Sequence, residues 1–109
     1  MNVNINTNGN IVIISIEGSI DSKTAGELQS QIMGKVSESD NVLLNLTEVD
    51  FVSSAGLRVL LMIYRQIKSK NGKVILVGVS QEITDVMSMT GFINFFEITD
   101  TIDNALNLF

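Results

Sequence analysis

Neither cysteine nor histidine occurs among the 109 residues, and proline and tryptophan are also absent. Without cysteine there is no disulfide scaffold, no thiolate metal site and no thiol nucleophile. Without histidine the chain lacks the side chain most used as a general base and as a metal ligand. None of the serines sits in a Gly-x-Ser-x-Gly elbow, so an enzyme reading has no activated nucleophile to start from. Gly18 and Gly56 stand alone, and neither a Walker sequence nor a Gly-x-Gly-x-x-Gly turn is present, which argues against a nucleotide site. Positive charge is scarce: seven Lys and Arg face twelve Asp and Glu, for a net charge of -5, and they form no basic run. Nucleic acid is therefore a poor partner. The carboxylates Asp21, Asp50 and Asp85 are scattered in the sequence, as solvated surface acids are, and no metal or other cofactor is expected. Apolar runs fall far short of the roughly 20 residues that span a bilayer. No charged segment followed by an apolar stretch opens the chain, so the expectation is a cytoplasmic protein that does not insert into membranes.

What the chain does have is enough apolar residue, 45%, for one real core, with no linker, repeat or low-complexity segment to divide it. One domain over residues 1–109 is expected. With no proline, the punctuation comes from glycine, asparagine and serine. Val3 and Ile5 alternate with polar residues, Asn8-Gly9-Asn10 reads as a turn, and Ile11 to Ile16 is strand-like, which predicts an antiparallel hairpin at a sheet edge. Thr24 and Glu27 have the spacing of a capping box, and Ala25, Leu28, Ile32 and Val36 form an apolar stripe, which predicts a helix over about residues 23–37. Val42 to Leu46 is apolar except for Asn45, the pattern of a central strand covered on both faces.

After this strand, Leu57, Leu60, Leu61, Tyr64 and Ile67 recur at helical spacing. Asn71-Gly72 should end that helix, Lys73 to Val77 should form another strand, and Ser80 should open a helix closed near Thr90 by Gly91. A short strand around Phe95 to Ile98 and a last helix opened by Thr99 or Asp100 complete the reading, with Ile102, Ala105, Leu106 and Phe109 on one side. Met87, Met89, Phe92, Phe95 and Phe96 read as core rather than as an adaptable groove. Lys68, Lys70 and Lys73 suit a helix end and receive no specific role. The alternation of strand and helix gives an α/β fold, a mixed, mostly parallel sheet flanked by helices. Right-handed crossovers then bring the starts of the first two helices to one edge of the sheet, with Asp21 near Ser54.

The segment Asp50-Phe51-Val52-Ser53-Ser54-Ala55-Gly56-Leu57-Arg58 is therefore where a buried strand gives way to a helix. Free N–H groups and the positive end of the helix dipole gather there, so a serine oxygen caps the helix and a phosphate on it is electrostatically acceptable. From the spacing alone, an ordinary cap is the plainer reading. Asp21 likewise either caps the first helix and its approach turn or shapes the surface beside Ser54.

Two motifs in order carry a family resemblance. Gly18, Ile20 and Asp21 precede the first helix, and Ser54, Gly56 and Leu57 open the second. Together with Lys73-Val74-Ile75-Leu76-Val77 and Met89-Thr90-Gly91-Phe92 they resemble the STAS domain of bacterial anti-sigma factor antagonists over nearly the whole chain. The resemblance implies a single STAS-type domain that switches partners. Its unphosphorylated form would bind an anti-sigma factor that is also a serine kinase, freeing a sigma factor. Phosphorylation on Ser54 would release the kinase, and a PP2C-like phosphatase would restore the first state. Asp21, Ser22, Ser53, Ser54, Ala55, Gly56 and Arg58 are the implied partner-binding residues. Many members carry aspartate before the modified serine and this chain has Ser53, which makes Ser53 a competing acceptor. Arg58 stands where sporulation-type members have glycine after the Gly-Leu pair, which alters the contact surface. The alternative from another class is an unmodified STAS subunit of a transport or stress-sensing assembly, whose serines only cap the helix.

Overall fold

The computed structural model describes all 109 residues. Strand β1 (Asn2–Asn8) and strand β2 (Ile11–Ile20) form the expected antiparallel hairpin. Asn8 pairs with Ile11, so the loop holds two residues, and Gly9 at φ 62 supplies the positive φ such a turn requires. The chain then alternates helix and parallel strand: α1 (Ala25–Glu38), β3 (Asn41–Val52), α2 (Ser54–Lys68), β4 (Val74–Val77), α3 (Gln81–Thr90), β5 (Glu97–Thr99) and α4 (Ile102–Leu106). The strands lie in sequence order, parallel from β2 to β5, with β3 central.

Side chains alternate across this sheet and sort into two cores. Val12, Ile14 and Ile16 on β2, Val42, Leu44 and Leu46 on β3, and Val74 and Leu76 on β4 join one buried cluster. Covering them are Leu28, Ile32 and Val36 of α1, Leu57, Leu60, Ile63 and Ile67 of α2, and Ile83 and Met87 of α3. Leu43, Ile75 and Val77 face the other way, where Ala105 of α4 meets them. Each fully buried aliphatic side chain contributes about 1.5–3 kcal/mol. The larger cluster therefore dominates, and the three crossover helices lie on one face of the sheet.

Helix ends follow local chemistry. Ser80 accepts from Ile83 N–H at 3.2 Å to open α3, and Gly91, left-handed at φ 80, closes it, both as expected. At the end of α2, Asn71 takes the left-handed conformation (φ 63), while Gly72 lies so close to the Asp40 carbonyl that a Cβ would collide with it. Lys70 Nζ donates to the carbonyls of Val36, Ser37 and Ser39 at 3.1, 2.7 and 2.7 Å, satisfying the C-terminus of α1. No helix is long and apolar enough to cross a membrane.

Several expectations change. The central strand runs on to Val52 rather than stopping at Leu46, because β3 carries two bulges. Ser15↔Asn45 is followed by Glu17↔Glu48, and Gly18↔Val49 by Ser19↔Phe51, so one extra β3 residue is absorbed at each step. The buried arc of α2 includes Val59 and Ile63, whereas Leu61 and Tyr64 are only half-buried. Residues Phe92–Phe95 form a 3₁₀ turn, so the strand expected around Phe95 to Ile98 runs over Glu97–Thr99 instead, and Thr101, not Thr99 or Asp100, caps α4 by accepting from Asn104 N–H at 3.1 Å. Of the Met and Phe group only Met87 is true core: Met89 is 86% exposed and Phe95 41%. Phe95 and Phe96 instead stack against Tyr64, with ring centroids 5.2 and 5.6 Å away.

Candidate functional site

The ends of β2 and β3 lie side by side, with Ile20 paired to Val52. One residue further on, Ser53 N–H donates to the Ile20 carbonyl at 2.8 Å, so the turn leading into α2 is fastened to the turn leading into α1. The first turn of α2 passes directly over this bond. A Cβ placed on Gly56 would lie 2.7 Å from the Ile20 oxygen, 2.8 Å from Ile20 Cγ2 and 2.9 Å from Val52 Cγ1. Gly56, expected on the partner-binding surface, is buried there, and its part is to let the helix approach the strand ends.

The two serines divide the work of this terminus. Ser53 is half-buried, and its Oγ accepts from Gly56 N–H at 3.3 Å, making it the N-cap. Ser54 is the first helical residue; it is exposed, and its hydroxyl takes no part in the cap. Arg58, one turn further along, is also exposed, while Ala55 is half-buried.

On the α1 side the expected Thr24–Glu27 capping box does not form. Glu27 accepts instead from Gln31 Nε2 at 3.0 Å, and Thr24 makes no side-chain cap. The turn is built by Asp21. Its Oδ1 accepts from Lys23 N–H at 2.8 Å and from Thr24 N–H at 3.1 Å, the pattern of an Asx turn. Thr24 Oγ1 accepts from Asp21 N–H at 2.9 Å and donates to the Ser19 carbonyl at 2.8 Å. Aspartate competes well for backbone N–H groups three residues before an N-cap, and here that local turn outcompetes the box. The Lys23 N–H is the main reason the Asp21 carboxyl sits below its ordinary value; desolvation opposes it, and the N–H and hydroxyl of Thr24 and the charge of Lys23 add smaller amounts to the lowering. Asp21 thus remains a carboxylate next to the start of α2, with exposed Ser22 beside it.

Sequence reasoning passed over two further residues. Ser19 Oγ donates to Asp50 Oδ1 at 2.8 Å, tying β2 to β3 beneath the site. Phe51 is 53% exposed, next to the N-cap. The signal for Phe51 was the spacing of Leu46, Val49 and Val52, which turns every third residue inward across the bulges and leaves the aromatic ring out. No three Asp or Glu side chains converge in the fold.

The arrangement offers a hydroxyl outside the cap at a positive helix end, with Asp21 in the adjoining turn, Arg58 one turn along α2 and the two turns joined by a backbone bond. Comparisons with known proteins agree with the fold. BtrV of Bordetella bronchiseptica, named for an anti-sigma factor antagonist, is 27% identical over 100 residues that cover 91% of this chain and 86% of that one. The anti-sigma F factor antagonist of Paenibacillus polymyxa is 26% identical over 98 residues, covering 88% and 84% of the two chains. The structure of SpoIIAA of Bacillus in its phosphorylated form superposes with a TM-score of 0.77 at 17% identity, covering 97% of each chain. Its unphosphorylated form gives 0.76 at 16%, covering 96% of this chain and 94% of that one. The STAS domain model matches residues 2–105, and the chain belongs to that family, with anti-sigma factor antagonists among its relatives.

Proposed function

We propose that this protein is an anti-sigma factor antagonist governed by phosphorylation of Ser54. The unmodified form binds an anti-sigma factor that is also a serine kinase and so frees a sigma factor in the cytoplasm. The kinase then transfers the γ-phosphoryl group of ATP to Ser54 Oγ: an O–P bond forms, the bond to the β-phosphate oxygen breaks, and ADP and the hydroxyl proton leave. A PP2C-like phosphatase returns the hydroxyl by hydrolysis, releasing inorganic phosphate. The protein itself performs no catalysis.

The observation that carries this reading is the division between the serines. If the hydroxyls existed only to cap α2, one would suffice, and Ser53 already does so. Ser54 is exposed, outside the cap and at the end of the helix where a phosphate is tolerated. Ser53 is the poorer acceptor, since modifying it would sacrifice the bond from Gly56 N–H. The likeness to both forms of SpoIIAA fits a modification that the fold absorbs without rearrangement. A phosphate adds about -1.5 to -2 charge at the point of docking, beside the Asp21 carboxylate. Burying that charge against a partner without matching cations is costly, and a hundredfold loss of affinity requires only about 2.7 kcal/mol. The rival scaffold reading predicts no function for the free hydroxyl.

The test is intact-mass and peptide mass spectrometry of protein taken from its native cells, with and without phosphatase treatment, followed by binding assays with the kinase that co-purifies. Phosphate on Ser54, weak binding by Ser54→Asp and persistent binding by Ser54→Ala are expected. Phosphate confined to Ser53, or protein unmodified in every growth condition and held in a permanent assembly, would overturn the proposal.

A further inference from the structure

Next to the N-cap of α2 the surface changes from polar to apolar. The second bulge of β3 turns Val49 and Val52 inward and leaves Phe51 half outside, and no helix covers it. Across from it stands α3, on which Glu82, Val86 and Met89 follow one another at spacings of four and three and so share a face. Val86 is 41% exposed, large for an aliphatic side chain flanked by buried Ile83 and Met87. Between β3 and α3 lies a recess of about 160 Å³ lined by Asp50, Phe51, Val52, Glu82, Ile83 and Val86. Buried Val52 and Ile83 belong to its base, and the carboxylates of Asp50 and Glu82 add negative charge to an apolar lining. Apolar hollows of about 150 Å³ hold a benzene molecule, so this one has room for a single large side chain.

We propose that the recess seats one bulky apolar side chain of the kinase, flanked on the kinase by Lys or Arg that pairs with Asp50 and Glu82. The inference rests on the function proposed above, and it names the part of the surface that grips the partner while Ser54 reacts. Charge selects this occupant. No Lys or Arg lines the recess, so an anionic membrane surface or nucleic acid would be repelled. A second copy of the chain docking about a two-fold axis would set Asp50 and Glu82 against their own images, and the net charge of -5 adds to that repulsion. A cation beside an apolar anchor meets neither objection. Position agrees, since Val52 at the base of the recess and Ser53 at the helix cap are consecutive residues. Apolar area rimmed by charge is the usual composition of a docking site.

The experiment uses the full-length protein and the purified kinase that phosphorylates Ser54. Val86→Glu and Phe51→Ala alter exposed side chains, and unchanged circular dichroism and melting would confirm that both fold. Each is expected to weaken kinase binding at least tenfold and to raise KM for phosphorylation with kcat nearly unchanged, because the recess does not touch the reacting oxygen. Glu82→Gln should reduce the dependence of affinity on salt. If both groove variants bind as wild type does while Ser54→Asp binds weakly, the recess is not part of the interface and the switch stands without it. If Ser54 is never phosphorylated, and Ser54→Asp and Ser54→Ala bind the co-purified protein as wild type does, the switch fails and this inference fails with it.

Discussion

Alanine should have opposite effects at two helical glycines. At Gly34, exposed within α1, a new Cβ meets nothing within 4 Å. Intrinsic propensity then acts alone, and Gly34→Ala should stabilise by about 0.5–1 kcal/mol. At Gly56 the same propensity gain is set against a Cβ 2.7 Å from the Ile20 carbonyl oxygen, a backbone atom that cannot swing away. Relief requires the first turn of α2 to lift from the strand ends, stretching the 2.8 Å bond from Ser53 N–H to that same oxygen. Overpacking of this kind costs about 1–3 kcal/mol, and weakening the bond adds up to about 1. With mid-range values and less the propensity gain, Gly56→Ala should destabilise by about 1–2 kcal/mol. Unfolding entropy near 2.1 cal/mol/K per residue gives about 0.23 kcal/mol/K for 109 residues. The expected melting temperatures are thus lower by about 4–8 °C for Gly56→Ala and higher by about 2–4 °C for Gly34→Ala, read by circular dichroism at 222 nm, the usual helix band. If Gly56→Ala raised the melting temperature alongside Gly34→Ala, the close approach would not be what that position demands, and the account of how α2 is seated would be wrong.

Two further outcomes test the local chemistry of the site. Ser53→Ala should cost about 1 kcal/mol, or about 4 °C in melting temperature, because it removes the N-cap, while Ser54→Ala should leave stability nearly unchanged; equal losses in the two variants would mean that both hydroxyls serve the cap. The Asp21 carboxyl is held below the ordinary value of 3.8, so ionisation favours the folded state: its contribution is full above that value and disappears as pH falls through the lower folded value. Asp21→Asn should therefore flatten the acid side of a plot of melting temperature against pH, and curves of identical shape for variant and wild type would show that the Asx turn holds no ionised group.

Where one physical signal governed an element, the sequence was sufficient. The stripe Ala25, Leu28, Ile32, Val36 is buried as its spacing requires, and Ser80 and Gly91 bound α3 because capping chemistry is local. Where two signals compete, the pattern along the chain does not show which one wins. Thr24 and Glu27 have the spacing of a capping box, yet Asp21 takes the Thr24 N–H that Glu27 would need, and Thr24 Oγ1 is engaged by Asp21 N–H and the Ser19 carbonyl. Leu46, Val49 and Val52 break the two-residue period of a strand, because bulges exist only in relation to a neighbouring strand. The aromatic run after Gly91 has strand composition but folds as a 3₁₀ turn that brings Phe95 and Phe96 to Tyr64, a contact between distant parts of the chain. For the site, the neighbourhood of Asp21 and the serines could be expected from the crossover rule. Which serine holds the cap could not, since adjacent hydroxyls are equivalent in sequence and differ only in the φ and ψ that each acquires.

The bulges also explain why the site exists where it does. Strands β2 and β3 begin together, with Ile11 opposite Asn41, and end together, with Ile20 opposite Val52. Between these pairs β2 spends ten residues and β3 twelve. In unbroken register Val52 would overshoot Ile20 by two residues, about 7 Å at the usual rise of a strand. Ser53 N–H could not then reach the Ile20 carbonyl, and Gly56 would have no strand end to rest on. Each bulge takes up one residue of the excess, so the turns before α1 and α2 arrive level, and the same two bulges turn Phe51 out of the core beside them. A helix terminus carrying a free hydroxyl, the Asp21 turn and an apolar recess are brought to one end of the sheet by the two bulges of β3. The stretch from Asn45 to Val52 is consequently the part of this chain where a change of length, more than a change of residue type, would dismantle the site while leaving most of the core intact.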